Sequence, residues 1–322
     1  MKIFAGSANK PLAENIAKKL NISVSPLEIH IFPDDEKRVR VLESVLDEDC
    51  VVVQPTSSPV DANYMELFFI VDALKRSGAR SVTAVIPYLG YQRQDHIFRE
   101  GEAVSFSVIV KTLEAVGVDK VITFDLHTIR ALEMFKISVV HLSALSLFTE
   151  KIKHLGRWPR HNFEDVGGDS SEVNVKERVL VSPDMGGIRR IKILSEMLAP
   201  NRNGEGLTGM PYATIVKNRN LATGEITVSE IQGELAKTAI IVDDMIAGGN
   251  TVVTAVGALR QRGVEQIFVF ATHAVFSQNA PVLLQEALIE KVYVTDTIEI
   301  PEGKMFEKLE VLSVAGIIAE NL

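Results

Sequence analysis

Short runs of β-branched and apolar residues alternate with amphipathic stretches along most of the chain. In the first half, strands are predicted for KIFAG, LEIHIF, CVVVQP, SVTAVIP and KVITFD, and helices for NYMELFFIVDALKRSG and AVSFSVIVKTLEAVG. After residue 177, strands are predicted for RVLVSP, YATIVK, AIIVDD and QIFVFAT, and helices for IRRIKILSEMLA and TVVTAVGALRQRG. Alternation of this kind predicts an α/β fold with mostly parallel sheets flanked by helices.

The segment from Gly156 to Glu177 interrupts this pattern with polar residues and glycines. It is interpreted as an irregular connection near a domain boundary. The chain has 322 residues, which exceeds the usual size of one domain. Two similar α/β halves joined near this segment are therefore expected.

Composition narrows the class of protein. The net charge of -8 argues against a nucleic-acid surface, because duplex binding depends on basic residues that neutralise phosphates. No apolar run is long enough to span a bilayer, and MKIFAGSANK lacks the apolar core of a signal peptide. Cys50 is the only cysteine, so an internal disulfide is excluded and a reducing compartment is expected. We therefore expect a cytoplasmic protein without a nucleic-acid or membrane partner.

The stretch IIVDDMIAGGNT carries the strongest chemical signal. Asp243 and Asp244 stand at the predicted end of an apolar strand, where ligands bind in α/β sheets. These carboxylates could accept ribose hydroxyls or hold Mg²⁺, and the amides from Ala247 to Thr251 could converge on a phosphate at the next helix. The alternative is an ordinary acidic loop capped by Thr251.

Two further segments place an acid after a predicted strand. In RVLVSPDMGGIRR, Asp184 precedes a glycine pair that opens a helix, although a simple tight turn would give the same pattern. In FDLHT, Asp125 and His127 follow the strand KVITFD and could reach a metal-bound phosphate, unless the histidine is structural.

A polar loop, YLGYQRQDH, follows the strand SVTAVIP. It contains Arg93, Gln94, Asp95 and His96. The forked guanidinium of arginine suits the oxygens of a polyphosphate, but an exposed arginine is as often only solvated.

Taken together and in this order, these segments resemble the ribose-phosphate pyrophosphokinase family. The resemblance covers nearly the whole chain and includes QPTSSPVDANYMEL, VDALKRSGARSVTAVIPYLGYQRQD, FDLH, VSPDMGG, KNR, VDDMIAGGNT, ATHAVFS and KLEVLSVAGIIAE. It implies two phosphoribosyltransferase-like domains. Residues 1–146, rejoined by about 308–322, would bind ATP, and residues 147–307 would bind ribose 5-phosphate.

The resemblance also implies a reaction and its participants. The pyrophosphoryl group of Mg-ATP would pass to the 1-hydroxyl of ribose 5-phosphate, giving 5-phosphoribosyl 1-pyrophosphate and AMP. The cofactor would be Mg²⁺, and the protein would form a homo-oligomer built from dimers, as a tetramer or hexamer. Regulation by ADP and phosphate is left open, because IFREGEAVS resembles the form of that loop in archaeal-type members.

Site residues carry over position by position. The ATP-binding residues implied are Phe32, Asp34, Glu36, Arg93 and Gln94, with Asp35 where the family usually has glycine. His127 matches a ligand of the magnesium on ATP, and Asp184 matches an acid near the metal. Lys217 and Arg219 match a catalytic Lys-x-Arg on a flap; without the family context they would be interpreted as an exposed basic hairpin edge.

The ribose 5-phosphate loop implied by the resemblance contains Asp243, Asp244 and residues 247–251. Three of its positions depart from the family, which usually has Asp or Ser followed by Thr-Gly-Gly-Thr: these are Ala247, Gly248 and Asn250. Asn250 replaces a glycine, and asparagine tolerates a left-handed backbone, so the turn is expected to survive. Gly249 and Thr251 are retained, and weakened binding of ribose 5-phosphate is expected.

Two alternatives remain beside the active synthetase. A non-catalytic regulatory homologue would account for the altered loop, but Lys217 and Arg219 argue against it. A phosphoribosyltransferase would share the Val-Asp-Asp loop but would leave the first domain unexplained.

Overall fold

The computed structural model describes residues 1–155, 177–198, 209–219 and 226–322. The described chain divides into two compact units. Unit 1 contains Met1–Ser143, Thr295–Pro301 and Ser313–Leu322, and unit 2 contains Ala144–Val294 and Glu302–Leu312. Of the predicted irregular connection at 156–177, residues 156–176 lie outside the described residues.

Unit 1 is built on a five-stranded parallel sheet. Its strands and helices up to Ser143 are β1 (Lys2–Ala5), α1 (Lys10–Lys19), β2 (Leu27–Ile31), β3 (Lys37–Val41), β4 (Asp49–Val53), α2 (Val60–Arg76), β5 (Ser81–Val85), α3 (Ser105–Ala115), β6 (Lys120–Phe124), a 3₁₀ helix (Ile129–Met134) and β7 (Ser138–Leu142). The sheet order is β1-β4-β5-β6-β7, and each neighbouring pair is parallel.

The strands β2 and β3 form a separate antiparallel hairpin. LEIHIF was expected as a strand and is one, but it does not join the parallel sheet. Its partner β3 reads KRVRV, in which valines alternate with arginines, so only one face of the hairpin is apolar. That face, with Leu27, Ile29, Val39 and Val41, packs against the core of unit 1.

Unit 2 is built on a seven-stranded sheet. Its elements are α4 (Leu145–His154), β8 (Arg178–Ser182), α5 (Ile188–Leu198), β9 (Tyr212–Arg219), β10 (Ile226–Gln232), β11 (Thr238–Ile246), α6 (Asn250–Gln261), β12 (Gln266–Ala274), α7 (Ala280–Glu286), β13 (Lys291–Thr295), a 3₁₀ helix (Glu302–Lys304) and β14 (Leu309–Leu312). The order is β10-β9-β8-β11-β12-β13-β14, with β9, β8, β11 and β12 parallel and β10 antiparallel at the edge.

The chain then returns to unit 1 through α8 (Ala315–Ala319). The backbone N–H of Val314 donates to Asp296 Oδ1 at 2.7 Å, and the side-chain amide of Asn9 donates to the Asp296 carbonyl at 2.8 Å. Ile318 in α8 is fully buried. The first helix, the 295–301 segment and the last helix are thus joined within one unit.

The α/β fold with parallel sheets flanked by helices is confirmed. The buried runs VVV in β4 and AIIV in β11 occupy central strands, as continuous apolar runs predict. In a parallel sheet the loops that bind ligands leave the carboxyl ends of the strands. In unit 1 these loops follow β4, β5 and β6, and in unit 2 they follow β8, β11 and β12.

Candidate active site

The tip of the β2–β3 hairpin displays three of the residues assigned to ATP. The backbone N–H of Phe32 donates to the Glu36 carbonyl at 2.8 Å, and the N–H of Asp35 donates to the Phe32 carbonyl at 3.0 Å. Asp34 Oδ1 accepts from the Glu36 N–H at 3.3 Å. Asp35 has φ of +66°, the left-handed region in which glycine is most at ease and aspartate is among the better tolerated side chains. The turn is therefore kept without glycine.

The aromatic ring at this tip is available to a ligand. Phe32 is 37% exposed. The His30 ring packs against it in an edge-to-face arrangement, with 4.7 Å between the two ring centroids. The Arg38 guanidinium lies 5.8 Å from the same ring centroid. An exposed aromatic face beside a cation suits an adenine base next to phosphates.

Two loops at the carboxyl edge of the unit 1 sheet are tied together. Gln92, which is 1% exposed, accepts a 2.8 Å hydrogen bond from the backbone N–H of His127. Thr128 Oγ1 donates to Asp95 Oδ2 at 2.6 Å, and the His96 ring lies 2.6 Å from Asp95 Oδ1. Burial raises the pKa of Asp95, but these hydrogen bonds outweigh it and hold the pKa below its usual value. Hydrogen bonds therefore connect the loops after β5 and β6.

The predicted ligand residues of these loops face solvent. Arg93, Gln94 and His127 are exposed. Asp125 is different: it is 5% exposed, has φ of +31°, and accepts a 2.7 Å hydrogen bond from the Ser143 hydroxyl. Asp125 and His127, which the sequence placed together at a strand end, thus occupy different environments.

In unit 2, Asp184 organises the turn between β8 and α5. Its Oδ1 accepts from the backbone N–H groups of Gly186 at 2.9 Å and Gly187 at 3.2 Å. Ser182 Oγ donates to the Asp184 carbonyl at 2.7 Å. A Cβ on Gly187 would lie 2.3 Å from Ser182 Oγ, so a larger residue here would displace the hydroxyl that donates to the Asp184 carbonyl. The tight turn weighed as an alternative is therefore present, and it holds the Asp184 carboxylate at the sheet edge.

The acid pair lies within β11, which continues to Ile246 beyond the predicted strand end. Asp243 and Asp244 are 8% and 5% exposed, and Asp243 Oδ1 accepts from the Asp244 N–H at 2.9 Å. Arg190 Nη1 of α5 lies 3.7 Å from Asp243 Oδ1 and 3.8 Å from Asp244 Oδ1. Burial, and then the neighbouring Asp244 carboxylate, raises the pKa of Asp243 well above its usual value, and Arg190 only partly opposes this.

The turn expected in the glycine loop after β11 is present. Gly249 takes the left-handed conformation there, with φ of +81°. Asn250 is already the first residue of α6, so the turn does not depend on a left-handed asparagine. The physical reason is that the retained glycine takes the strained position at no steric cost. Thr251 falls in the first helical turn, and the loop packs on the chain after β12, where the Ser277 N–H donates to the Ala247 carbonyl at 3.1 Å.

Lys217 and Arg219 belong to β9, the strand next to the edge of the same sheet. They lie near the end of β9, where Lys217 pairs with Val228 and Arg219 with Ile226 of the antiparallel edge strand β10. The backbone of Lys217 and Arg219 thus lies in a hairpin formed by β9 and β10, as the sequence alternative proposed.

The donor atoms at the unit 2 edge suit a hard cation. Asp184, Asp243 and Asp244 supply carboxylate oxygens, the ligand type that Mg²⁺ prefers. In the parts of the chain that the structure describes, no three acidic, histidine or cysteine side chains converge as a complete metal cage. Mg²⁺ is commonly held by one or two carboxylates plus substrate phosphates, so these residues fit such an ion.

Comparison with known proteins decides the family. Residues 1–117 match the model of the N-terminal domain of ribose phosphate pyrophosphokinase, and residues 212–322 match that of the phosphoribosyl synthetase-associated domain. The chain is 36% identical over its whole length to the chloroplastic ribose-phosphate pyrophosphokinase 2 of Oryza sativa subsp. japonica and covers 74% of that protein. The chain belongs to the ribose-phosphate pyrophosphokinase family. The predicted resemblance is thereby confirmed.

Other members are equally similar over the full chain. The ribose-phosphate pyrophosphokinase of Fusobacterium nucleatum subsp. nucleatum is 35% identical over all of this chain and 94% of its own length. The crystal structure of phosphoribosylpyrophosphate synthetase from Mycobacterium smegmatis superposes with a TM-score of 0.84 at 32% identity, covering 99% of this chain and 96% of that one. Among the described residues, no helix has both the length and the apolar character needed to cross a membrane.

Sequence reasoning missed two residues of this pyrophosphokinase. Arg190 stands near the start of α5, three positions after Gly187, and its spacing from the glycine pair could have marked it as facing the acids. Gln92 is buried and binds the His127 backbone, but nothing in the local pattern distinguished it from a solvated glutamine.

Proposed function

We propose that this chain transfers the β,γ-pyrophosphoryl group of Mg-ATP to ribose 5-phosphate. The 1-hydroxyl oxygen forms a bond to the β-phosphorus, the bond from that phosphorus to the α,β-bridging oxygen breaks, and AMP leaves with the electron pair. The hydroxyl proton is lost, and 5-phosphoribosyl 1-pyrophosphate is formed. Membership of the pyrophosphokinase family supports this reaction.

One observation in the structure carries the proposal furthest: an acid pair precedes a helix that begins after a left-handed glycine. Asp243 and Asp244 are buried beside Arg190, and Gly249 directs the chain into α6. In the proposed complex the acids accept the ribose hydroxyls, while the amides of the 247–251 loop bind the 5-phosphate. Carboxylates suit hydroxyl donors, and amides at a helix start suit an anion.

The nucleotide belongs, in this proposal, to unit 1. Phe32 supports the adenine ring, Asp34 and Glu36 accept from its polar groups, and Arg93 and Gln94 bind the polyphosphate. Arginine neutralises the phosphate oxygens on which charge collects during transfer. Lys217 and Arg219 are proposed to stabilise the charge that develops as the pyrophosphoryl group moves.

Mg²⁺ is the proposed cofactor. His127 and Asp184 are its assigned contacts, with Asp243 and Asp244 close to the sugar. When bound, the ion would offset the negative charge of the polyphosphate. We also infer a cytoplasmic protein, in line with the free, buried Cys50. From the family resemblance we infer a homo-oligomer built from dimers.

The direct test is formation of AMP from ATP in the presence of Mg²⁺. We expect AMP and 5-phosphoribosyl 1-pyrophosphate in equal amounts, and only when ribose 5-phosphate is added. ATP cleavage that does not depend on the sugar phosphate would contradict the proposal.

A variant of Lys217 tests the catalytic assignment. Because this lysine is proposed to act on the transition state, Lys217→Ala should lower kcat by about three orders of magnitude with little change in either KM. The control is Lys237→Ala, which removes a 74% exposed lysine that forms an ion pair with surface Glu265. Steady-state kinetics that leave kcat of Lys217→Ala within tenfold of the natural chain would refute the role.

A regulatory homologue without activity is the second candidate. It is favoured by one observation: Ala247 and Gly248 offer no side-chain donor to a 5-phosphate. Calorimetric titration of ribose 5-phosphate, with Mg²⁺ and a non-hydrolysable ATP analogue present, separates the two candidates. Absence of sugar binding in the natural chain, with binding gained in a loop-restored variant, would favour the regulatory protein.

A further inference from the structure

Glu66 is a fully buried carboxylate with a complete set of hydrogen-bond donors. Lys37 Nζ and Ser7 Oγ donate to its Oε2 at 2.7 Å and 2.8 Å. The Ser7 backbone N–H and Gln54 Nε2 donate to its Oε1 at 2.6 Å and 3.0 Å. Burial raises the pKa of Glu66, but the hydrogen bonds from Lys37 and Ser7 outweigh it and hold the pKa below its usual value. Glu66 is therefore ionised and paired.

The donors come from separate parts of unit 1. Ser7 follows β1 and Gln54 follows β4, so both belong to the carboxyl edge of the five-stranded sheet. Lys37 begins β3, in the hairpin that shares no ladder with that sheet. Lys37 Nζ also donates to the Ala62 carbonyl of α2 at 3.3 Å. Through Glu66, the hairpin is attached to the edge of the sheet.

The position of this attachment matters because Lys37 directly follows Glu36 at the hairpin tip. The apolar contacts of the hairpin come from alternate side chains along its strands, and apolar contact is not directional. The other ion pair of the hairpin, Arg38 with Glu28 at 3.0 Å, joins its two strands to each other and is exposed. The Lys37–Glu66 contact is a directional, charge-assisted bond beside the tip, and one that is mostly removed from water.

We propose that Lys37 and Glu66 are a positioning pair that holds the hairpin tip at Phe32–Glu36 in the geometry that receives the nucleotide. The pair touches neither substrate nor reacting atoms; it sets the affinity for ATP and leaves the transfer step and the sugar site unchanged. The inference rests on the proposed function for its nucleotide and on the hydrogen bonds above for its geometry.

The test compares Lys37→Met with Lys37→Arg and with the control Arg76→Met. Arg76 pairs with Asp72 on the surface of the same helix that carries Glu66 and is 79% exposed. For Lys37→Met we expect a rise in the KM for ATP of about tenfold, since a charge-assisted hydrogen bond is lost, with kcat and the KM for ribose 5-phosphate within about twofold. Lys37→Arg should restore most of the ATP affinity, and Arg76→Met should match the natural chain.

Amide hydrogen exchange supplies a readout that does not need activity. In ligand-free protein, Lys37→Met should speed exchange at residues 32–37 and leave β4 and β5 unchanged. Lys37→Met leaves the buried Glu66 carboxylate without its cation, which destabilises the fold. The double variant Lys37→Met with Glu66→Gln removes both charges. It should show the same local change in exchange, with a melting temperature nearer that of the natural chain.

Unchanged exchange at the tip in these variants would overturn the proposal, as would equal losses in kcat and both KM values. If the natural chain forms no AMP, the proposed reaction fails, and the positioning pair is judged by calorimetry with a non-hydrolysable ATP analogue. Weaker binding by Lys37→Met would then support the pair. Equal binding, or none by the natural chain, would refute it.

Discussion

Gly248 and Gly249 are neighbours in the loop between β11 and α6, yet only one of them requires glycine. Gly249 has φ of +81°, and a Cβ there would lie 3.4 Å from the Cα of Ala280, whereas a Cβ on Gly248 would meet nothing within 4 Å. Gly249→Ala should destabilise the loop by about 1–2 kcal/mol and weaken binding of ribose 5-phosphate. Gly248→Ala is the matched control and should bind like the natural chain. Calorimetry would contradict this view of the loop if both variants lost the same affinity.

The buried acid Asp243 gives a pH dependence of stability. Its pKa is raised in the folded chain, mainly by burial and by Asp244, so the folded state retains the proton more firmly than the unfolded one. The associated stability is present below the unfolded pKa and is lost as the pH rises toward the folded pKa. Asp243→Asn avoids this loss, since the side-chain oxygen can still accept from the Asp244 N–H.

The melting temperature of Asp243→Asn, measured without divalent cations, should therefore exceed that of the natural chain by a margin that grows from about pH 4 to about pH 8. Thermal unfolding followed by circular dichroism gives both curves. A margin that stays constant or shrinks with rising pH would show that Arg190 compensates the charge fully.

Individual site residues differed in how far sequence could place them. Asp184, Asp243 and Asp244 follow or end apolar strands, so the rule for parallel sheets located them. Arg190 was missed because its partners are brought together only by the packing of α5 against the sheet. The turn expected at Asn250 survives because Gly249 is left-handed and Asn250 already begins α6, a helix boundary that sequence patterns fix poorly.

At the scale of elements, each helix and strand that the sequence predicted is present, but helices α1, α4, α7 and α8 and strands β3, β7, β10, β13 and β14 were not predicted. Helix α2 was expected at NYMELFFIVDALKRSG and spans Val60–Arg76. The hairpin strand β3 was missed, because KRVRV alternates charge with valine and the left-handed position of the preceding turn holds Asp35 and not glycine. Local patterns reveal a strand, but the choice between the parallel sheet and a separate hairpin is made by tertiary packing.

The loop between β11 and α6 can be tested as an element by restoring the family residues Asp and Thr at Ala247 and Gly248. The backbone has room for the threonine, since a Cβ at Gly248 meets open space. Each regained hydrogen bond to a charged group is worth about 1.5–3 kcal/mol, so the KM for ribose 5-phosphate should fall about tenfold to a hundredfold. The KM for ATP should stay nearly constant.

The control for this restoration is the single change Gly248→Ala, which fills the same space without a donor. Steady-state kinetics with each substrate varied in turn would reveal the difference. A fall in both KM values, or the same fall with Gly248→Ala, would mean that the loop acts through general ordering and not through the added side-chain hydrogen bonds.

At the scale of the whole molecule, the chain crosses between its two units more often than a linear sequence suggests. Thr295–Pro301 and Ser313–Leu322 belong to unit 1, while Glu302–Leu312 belongs to unit 2. Periodicity describes neighbours along the chain, so it cannot reveal that Asp296 bonds to Asn9 and Val314. The resemblance to the family gave an expectation of a returning C-terminal segment that the patterns alone could not.

Because the last residues belong to unit 1, a substitution near the end of the sequence should affect strands near its beginning. Ile318 in α8 is fully buried in unit 1, and nearby Lys120 at the start of β6 donates to the Asn321 carbonyl at 3.1 Å. Ile318→Ala should cost about 2–5 kcal/mol, because truncating a buried isoleucine leaves a cavity.

Amide exchange should then speed up in β1 and β4, far away in sequence, while β11 and β12 keep their natural rates. Ile317→Ala, on the same helix but only partly buried, should have a smaller effect. Faster exchange in β11 and β12 to the same extent as in β1 would show that the two units unfold together and that α8 does not belong to unit 1 alone.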